Sequence, residues 1–165
     1  MKRVMLALLL VTLAVAAAAR AQAAKNAAFF ELGGNAILPS VNYERRFTES
    51  WSGRIGASLV SSSTSGGDGD PTLIVPLTVS WIGRPQSNHH LELGGGVTFA
   101  TGDRQDLFDD LGQDDEQFST AFATAIVGYR YQKPGRGFQF RAAFTPVIDS
   151  GGVAPWAGIS FGYAW

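Results

Sequence analysis

Residues Pro155 to Trp165, P-W-A-G-I-S-F-G-Y-A-W, constrain the fold more than any other stretch of the chain. Counting back from the end, Trp165, Tyr163, Phe161, Ile159 and Ala157 fall on one face. Ala164, Gly162, Ser160 and Gly158 fall on the other. A period of two is that of a β-strand. This strand carries large apolar side chains on one side and very small ones on the opposite side.

The first residues have a different character. Lys2 and Arg3 precede an apolar run of 16 residues, Val4 to Ala19, followed by Arg20 and the small-residue motif Ala21-Gln22-Ala23. A positive start, an apolar middle and an A-x-A site form the pattern of a secretory signal peptide. The run falls short of the roughly 20 residues a membrane-spanning helix needs, which argues against an N-terminal anchor. Residues 1–23 are therefore expected to be cleaved, leaving 24–165 as one domain.

The signal takes three of the 13 positive charges, so the remainder has 10 positives against 14 negatives, a net charge of −4. That balance does not suit a nucleic-acid binder. With no cysteine, the chain has neither a disulfide framework nor thiol chemistry, nor the cysteine of a lipoprotein anchor. No apolar stretch after the signal reaches helix-spanning length, so any membrane insertion has to use strands.

Alternating segments separated by turn residues fill the rest. Strands are expected at about 27–34 and 37–47, with Gly34-Asn35 as the turn between them, and then from Trp51 to Val60. Others follow at Thr72–Trp81, His90–Phe99, Ala121–Tyr131, about 138–145 and the final stretch. From Phe47 onward the connections run short (48–50), long (61–70), short (84–88), long (101–119), short (133–137) and medium (148–154). Short turns alternating with longer loops fit an up-and-down antiparallel barrel, with short turns at the periplasm and longer loops outside. An even strand count, eight, returns the chain to the side on which it began. The 20 glycines suit a narrow interior. Aromatics such as Trp51, Trp81, Tyr129, Tyr163 and Trp165 gather at strand ends beside the short turns, as in an interfacial girdle. Phe122 breaks the alternation and is placed at the barrel mouth.

The face opposite the apolar one carries Glu31, Glu44, Arg46, Arg54, Glu92, Arg130 and Arg141. An eight-stranded barrel is just wide enough to be filled by side chains. Paired and hydrogen-bonded charges are tolerable there and isolated ones are not. These residues are read as a salt-bridge network plugging the lumen. The competing reading is a gated ion path or ligand site. Alternation leaves Arg45 on the outer face near the short-turn end, within reach of lipid headgroups.

The overall plan resembles the small eight-stranded outer-membrane barrels of the OmpX and OmpA transmembrane type. The phrases N-Y-E-R-R-F (42–47), L-E-L-G-G-G (91–96), G-Y-R-Y-Q (128–132) and P-W-A-G-I-S-F-G-Y (155–163) look like a group of outer-membrane β-barrel proteins without an established activity. The resemblance covers nearly the whole chain after the signal. It implies an all-β transmembrane barrel in the bacterial outer membrane, in contact with outer-membrane lipid and lipopolysaccharide. It also implies that Ile159, Phe161, Tyr163 and Trp165 form an assembly signal read by the barrel-insertion machinery. It names no extracellular partner.

Chemistry is sparse. Lipid A palmitoyltransferases and deacylases occupy barrels of this size and use His with Ser or an acid near the outer leaflet. Here His89 and His90 are adjacent and are expected in a periplasmic turn, solvated or facing headgroups, with no serine and base in reach. Pro39, Pro76 and Pro146 lie in or at the ends of strands, where each removes a ladder hydrogen bond. They are read as local bulges, or else as a weakened seam for lipid entry. The acidic run Asp103, Asp106, Asp109, Asp110, Asp114, Asp115 and Glu116 lacks calcium-loop spacing and reads as a solvated loop. No catalytic site, cofactor or metal ligand set is expected. The reading is a non-enzymatic outer-membrane barrel with a structural or surface-interaction role. A lipid-modifying barrel enzyme and a soluble periplasmic calyx for an apolar ligand are the alternatives.

Overall fold

The structure is a computed structural model that describes residues 24–60, 63–64, 67–68, 72–84, 86–101 and 121–165. Eight strands form the wall: β1 Asn26–Gly33, β2 Ser40–Arg46, β3 Trp51–Val60, β4 Thr72–Ile82, β5 His89–Thr101, β6 Ala121–Gln132, β7 Gly137–Phe144 and β8 Ala157–Ala164. Each pairs antiparallel with the next. β8 then pairs with β1 from Ala27↔Ala164 to Gly33↔Gly158, which closes the barrel. Closure is what such a sequence needs: it leaves no edge strand with unpaired backbone groups.

The period of two is obeyed almost throughout. Along β3, Trp51, Ile55, Ala57 and Leu59 are exposed while Ser52, Arg54, Gly56 and Ser58 are buried. Along β8, Ile159, Phe161 and Tyr163 face out, and Ser160 and Ala164 face in. Among the described residues the buried set holds 21 polar or charged residues and 12 apolar ones, the reverse of a water-soluble core. Two apolar clusters sit at the mouths. Ala24, Ala27, Phe29 and Ala164 cluster at the short-turn end. Ile37, Phe122 and Val147 cluster at the other, with Leu38, Ala154 and Trp156 against them. Phe122 thus occupies the mouth, as its broken alternation suggests.

The first connection differs from expectation. Instead of a tight turn at Gly34-Asn35 between strands at 27–34 and 37–47, the chain uses residues 34–39. It makes a 3₁₀ turn at Gly34–Ala36 and dips into the lumen. Gly33 and Gly34 have φ of 72° and 70°, a region glycine enters freely, and this turns the chain inward. A Cβ on Gly34 would collide with the Glu31 carboxyl group. Ile37 also lies in the left-handed region, at φ 67°, an expensive place for a β-branched residue. Its burial against Phe122 and Val147 holds it there.

The prolines do not create bulges. Between β3 and β4 the ladder skips Gly56 and Ala57 opposite Val75 and Pro76, yet the register is the same on both sides. The hairpin of β7 and β8 is likewise interrupted at Thr145–Pro146 and Pro155–Trp156. It then resumes in register as Val147–Asp149 paired with Gly152–Ala154. Thr145 N still bonds Trp156 O at 2.8 Å. A missing N–H thus deletes ladder bonds without inserting a residue. Pro39 lies just before β2, and its carbonyl accepts a 2.6 Å bond from Ser58 Oγ. Within the expected loop 61–70, Ser63–Thr64 pairs with Gly67–Asp68. The expected acidic loop after Thr101 lies outside the described residues.

Candidate functional site: the lumen charge network

Six strands each deliver one charge to the middle of the lumen, and the contacts among these charges cross-link them: Glu31 from β1, Glu44 from β2, Arg54 from β3, Glu92 from β5, Arg130 from β6 and Arg141 from β7. Each faces inward because it shares the parity of its strand's small or polar residues. Signs alternate along the chain of contacts. Glu44 takes a bidentate fork from Arg130, Nη1 to Oε1 at 2.5 Å and Nη2 to Oε2 at 2.6 Å. Arg130 Nε reaches Glu92 Oε2 at 3.0 Å, and Arg141 Nε lies 2.9 Å from the same oxygen. Arg141 Nη1 meets Glu31 Oε1 at 3.1 Å, and Arg54 Nη1 meets that oxygen at 3.4 Å.

Three carboxylates and three guanidiniums sum to zero, which is what makes their burial tolerable. The two ends of the network are bonded differently. Arg130 spends three donors on two carboxylates in good alignment, the geometry guanidinium favours. The Arg141 Nε contact with Glu92 is an ion pair out of line for a hydrogen bond. Among the described residues, Arg141 Nη2, Glu31 Oε2 and Glu92 Oε1 find no hydrogen-bond partner. The Arg130 end is therefore the better anchored.

Arg54 ties the network to the first connection. Its Nη2 donates to Asn35 Oδ1 at 2.6 Å and its Nε to Thr78 Oγ1 at 2.9 Å, with the Phe29 ring 5.6 Å from its guanidinium carbon. Asn35 also donates to Thr124 Oγ1 at 2.5 Å, and its carbonyl accepts from Thr98 Oγ1 at 2.8 Å. The inward turn is thus pinned to β3, β5 and β6. Expected only as a turn residue, Asn35 is wholly buried. The paired glycines before it were the available signal.

Arg46 stands apart from the network in which the sequence placed it. It is half-buried, and among the described residues it makes no ion pair; its Nη2 donates to Gln132 Oε1 at 3.1 Å. The position explains this: Arg46 is the last residue of β2, and no carboxylate comes within ion-pairing distance of it among the described residues. The histidines also depart from expectation, because both belong to β5 and not to a turn. His89 faces out, with Nδ1 2.6 Å from Tyr129 Oη and its ring edge-on to Tyr131. His90 is buried, Nδ1 lying 3.1 Å from Gly83 O and Nε2 3.0 Å from Gln132 O. Carbonyl oxygens only accept, so a neutral ring satisfies one of these and an imidazolium both. His90 lies two residues before Glu92, so the period of two pointed to it.

Ile159, Phe161, Tyr163 and Trp165 all face outward. Phe161 meets the Phe140 ring at 5.3 Å, and Tyr43 meets Trp165 at 6.5 Å between centroids.

No family model and no curated protein sequence matches the chain. In three dimensions it is similar to the outer membrane protein Ail of Yersinia pestis, whose backbone structure was determined in a phospholipid bilayer nanodisc. The TM-score is 0.50 with 11% identity over 86% of this chain and 99% of that one. The fold is an eight-stranded up-and-down β-barrel of the outer-membrane type. At that identity the likeness speaks for the fold alone.

Proposed function

We propose that the protein is an integral β-barrel of the bacterial outer membrane, non-enzymatic, with a structural or surface-interaction role and a lumen sealed by its Arg/Glu network. The observation that carries this reading is the inverted polarity of the wall. Phe30, Ile55, Leu77, Val97, Val127 and Phe161 are each at least 40% exposed, and the opposite parity holds the buried charges. In water so extensive an apolar surface would be an aggregation liability; in lipid it is the required one. A soluble calyx needs the opposite arrangement, an apolar interior and a polar exterior. The signal-like first 23 residues support export, and the lumen carboxylates and guanidiniums are committed to one another and not to a substrate. The short turns are then periplasmic.

The test is electrophoresis of membrane fractions with and without boiling. The outer-membrane fraction should contain the protein, and the unboiled sample should migrate as a compact barrel that shifts on heating. Recovery in the soluble periplasmic fraction with a single mobility would overturn the reading.

A further inference from the structure

The charges outside the lumen are distributed unevenly between the two ends of the barrel. At the short-turn end, Lys25, Arg45, Arg84, Lys133 and Arg136 are exposed, and Arg46 is half-buried behind them. Opposing these six is the acid Glu49. In the sequence, the stretches 61–71, 102–120 and 145–156 hold ten acids and one base, Arg104. None of the five exposed bases makes an ion pair among the described residues. They come from four different places around the rim: the approach to β1, the end of β2, the β4–β5 turn and the β6–β7 turn. The charge therefore forms a ring and not a patch.

Just inside this ring lies the aromatic band of Trp51, Trp81, Tyr129, Tyr163 and Trp165, all exposed or half-exposed. Amphipathic rings of this kind settle at headgroup depth, which places the basic ring among the phosphates. We propose that the short-turn rim is a docking collar for anionic phospholipid headgroups, drawing them from the leaflet on that side. This rests on the membrane reading above. Charge complementarity chooses the partner: cations spread around a circumference suit many mobile headgroups, whereas a single compact polyanion would need them on one side.

Tryptophan quenching tests it. Trp51, Trp81 and Trp165 sit at the collar, and Trp156→Phe removes the tryptophan at the far mouth. The folded barrel is reconstituted in vesicles of brominated phosphatidylcholine mixed with unbrominated phosphatidylglycerol, and in the reverse mixture. A basic residue near an anionic surface is worth on the order of fivefold in affinity, so phosphatidylglycerol should be favoured at the wall by ~5-fold or more. That preference should fall toward unity in ~1 M salt, where the Debye length is about 3 Å. It should fall likewise when Lys25, Arg45, Arg84, Lys133 and Arg136 are all replaced by Gln. Normal quenching with no lipid preference, or a preference that survives both salt and the substitutions, overturns the collar while leaving insertion intact. No quenching by any brominated lipid overturns the membrane reading, and the collar with it.

Discussion

At the scale of single residues, the network divides buried charge into a hub and a periphery. Arg130 is fully buried and pairs with two carboxylates on two other strands. Removing one partner of a buried pair leaves the other uncompensated, at a cost of about 3–5 kcal/mol. Arg130→Met should therefore lower barrel stability by about that amount. Arg46→Met removes a single bond to Gln132 at a half-buried site and should cost about 1 kcal/mol. Urea unfolding in detergent, followed by tryptophan fluorescence, checks the ranking. Equal losses for the two variants would contradict the assignment of Arg130 as the hub.

At the scale of elements, the first connection is an inward turn that completes the plug with the Arg/Glu network, joined to it by Asn35 through Arg54 and held by polar bonds and a strained backbone. Gly34→Ala forces a side chain into φ 70° and against Glu31, and Asn35→Ala deletes the bonds to Arg54 and Thr124. Each should loosen the plug more than it harms the wall, since neither residue belongs to a strand. In planar bilayers the native barrel should show no steady conductance, and both variants should show intermittent openings. A native barrel that already conducts steadily would show that Asn35 and its turn do not close the lumen. The turn was missed in the sequence for a physical reason: Gly-Asn is a common two-residue hairpin signal, and only the neighbouring lumen acceptors decide that Asn35 points inward. The ladder gaps at Pro76 and Pro146 were legible as lost bonds. That they leave the register unchanged was not, because register is set by the partner strands.

At the scale of the whole molecule, the outward aromatic face of β8 serves the wall and, by proposal, assembly. Phe161 packs on Phe140 and Phe138 of the neighbouring strand, so its truncation also costs some packing. Tyr163→Ala and Trp165→Ala touch less of the wall and isolate the assembly role. Both variants should refold from urea into detergent micelles with nearly native yield, yet accumulate in the outer membrane several-fold less than the native chain. Full accumulation in cells would remove the signal role from these residues.

The eight-stranded wall and the inward or outward facing of most strand residues were readable from the sequence, though His90 and Asn35 were not. The wall and the facing follow from a period of two and from turn chemistry, which are local and readable along the chain. Tertiary structure alone decided who pairs with whom. Glu44 and Arg130 are 86 residues apart and meet because closure of the ring places β2 across the lumen from β6. Arg46 shares their parity yet stays outside the network, since depth along the barrel depends on strand stagger and not on alternation. Asn35 became the pin of the plug for the same reason: its partners come from three strands that only the closed barrel brings around it.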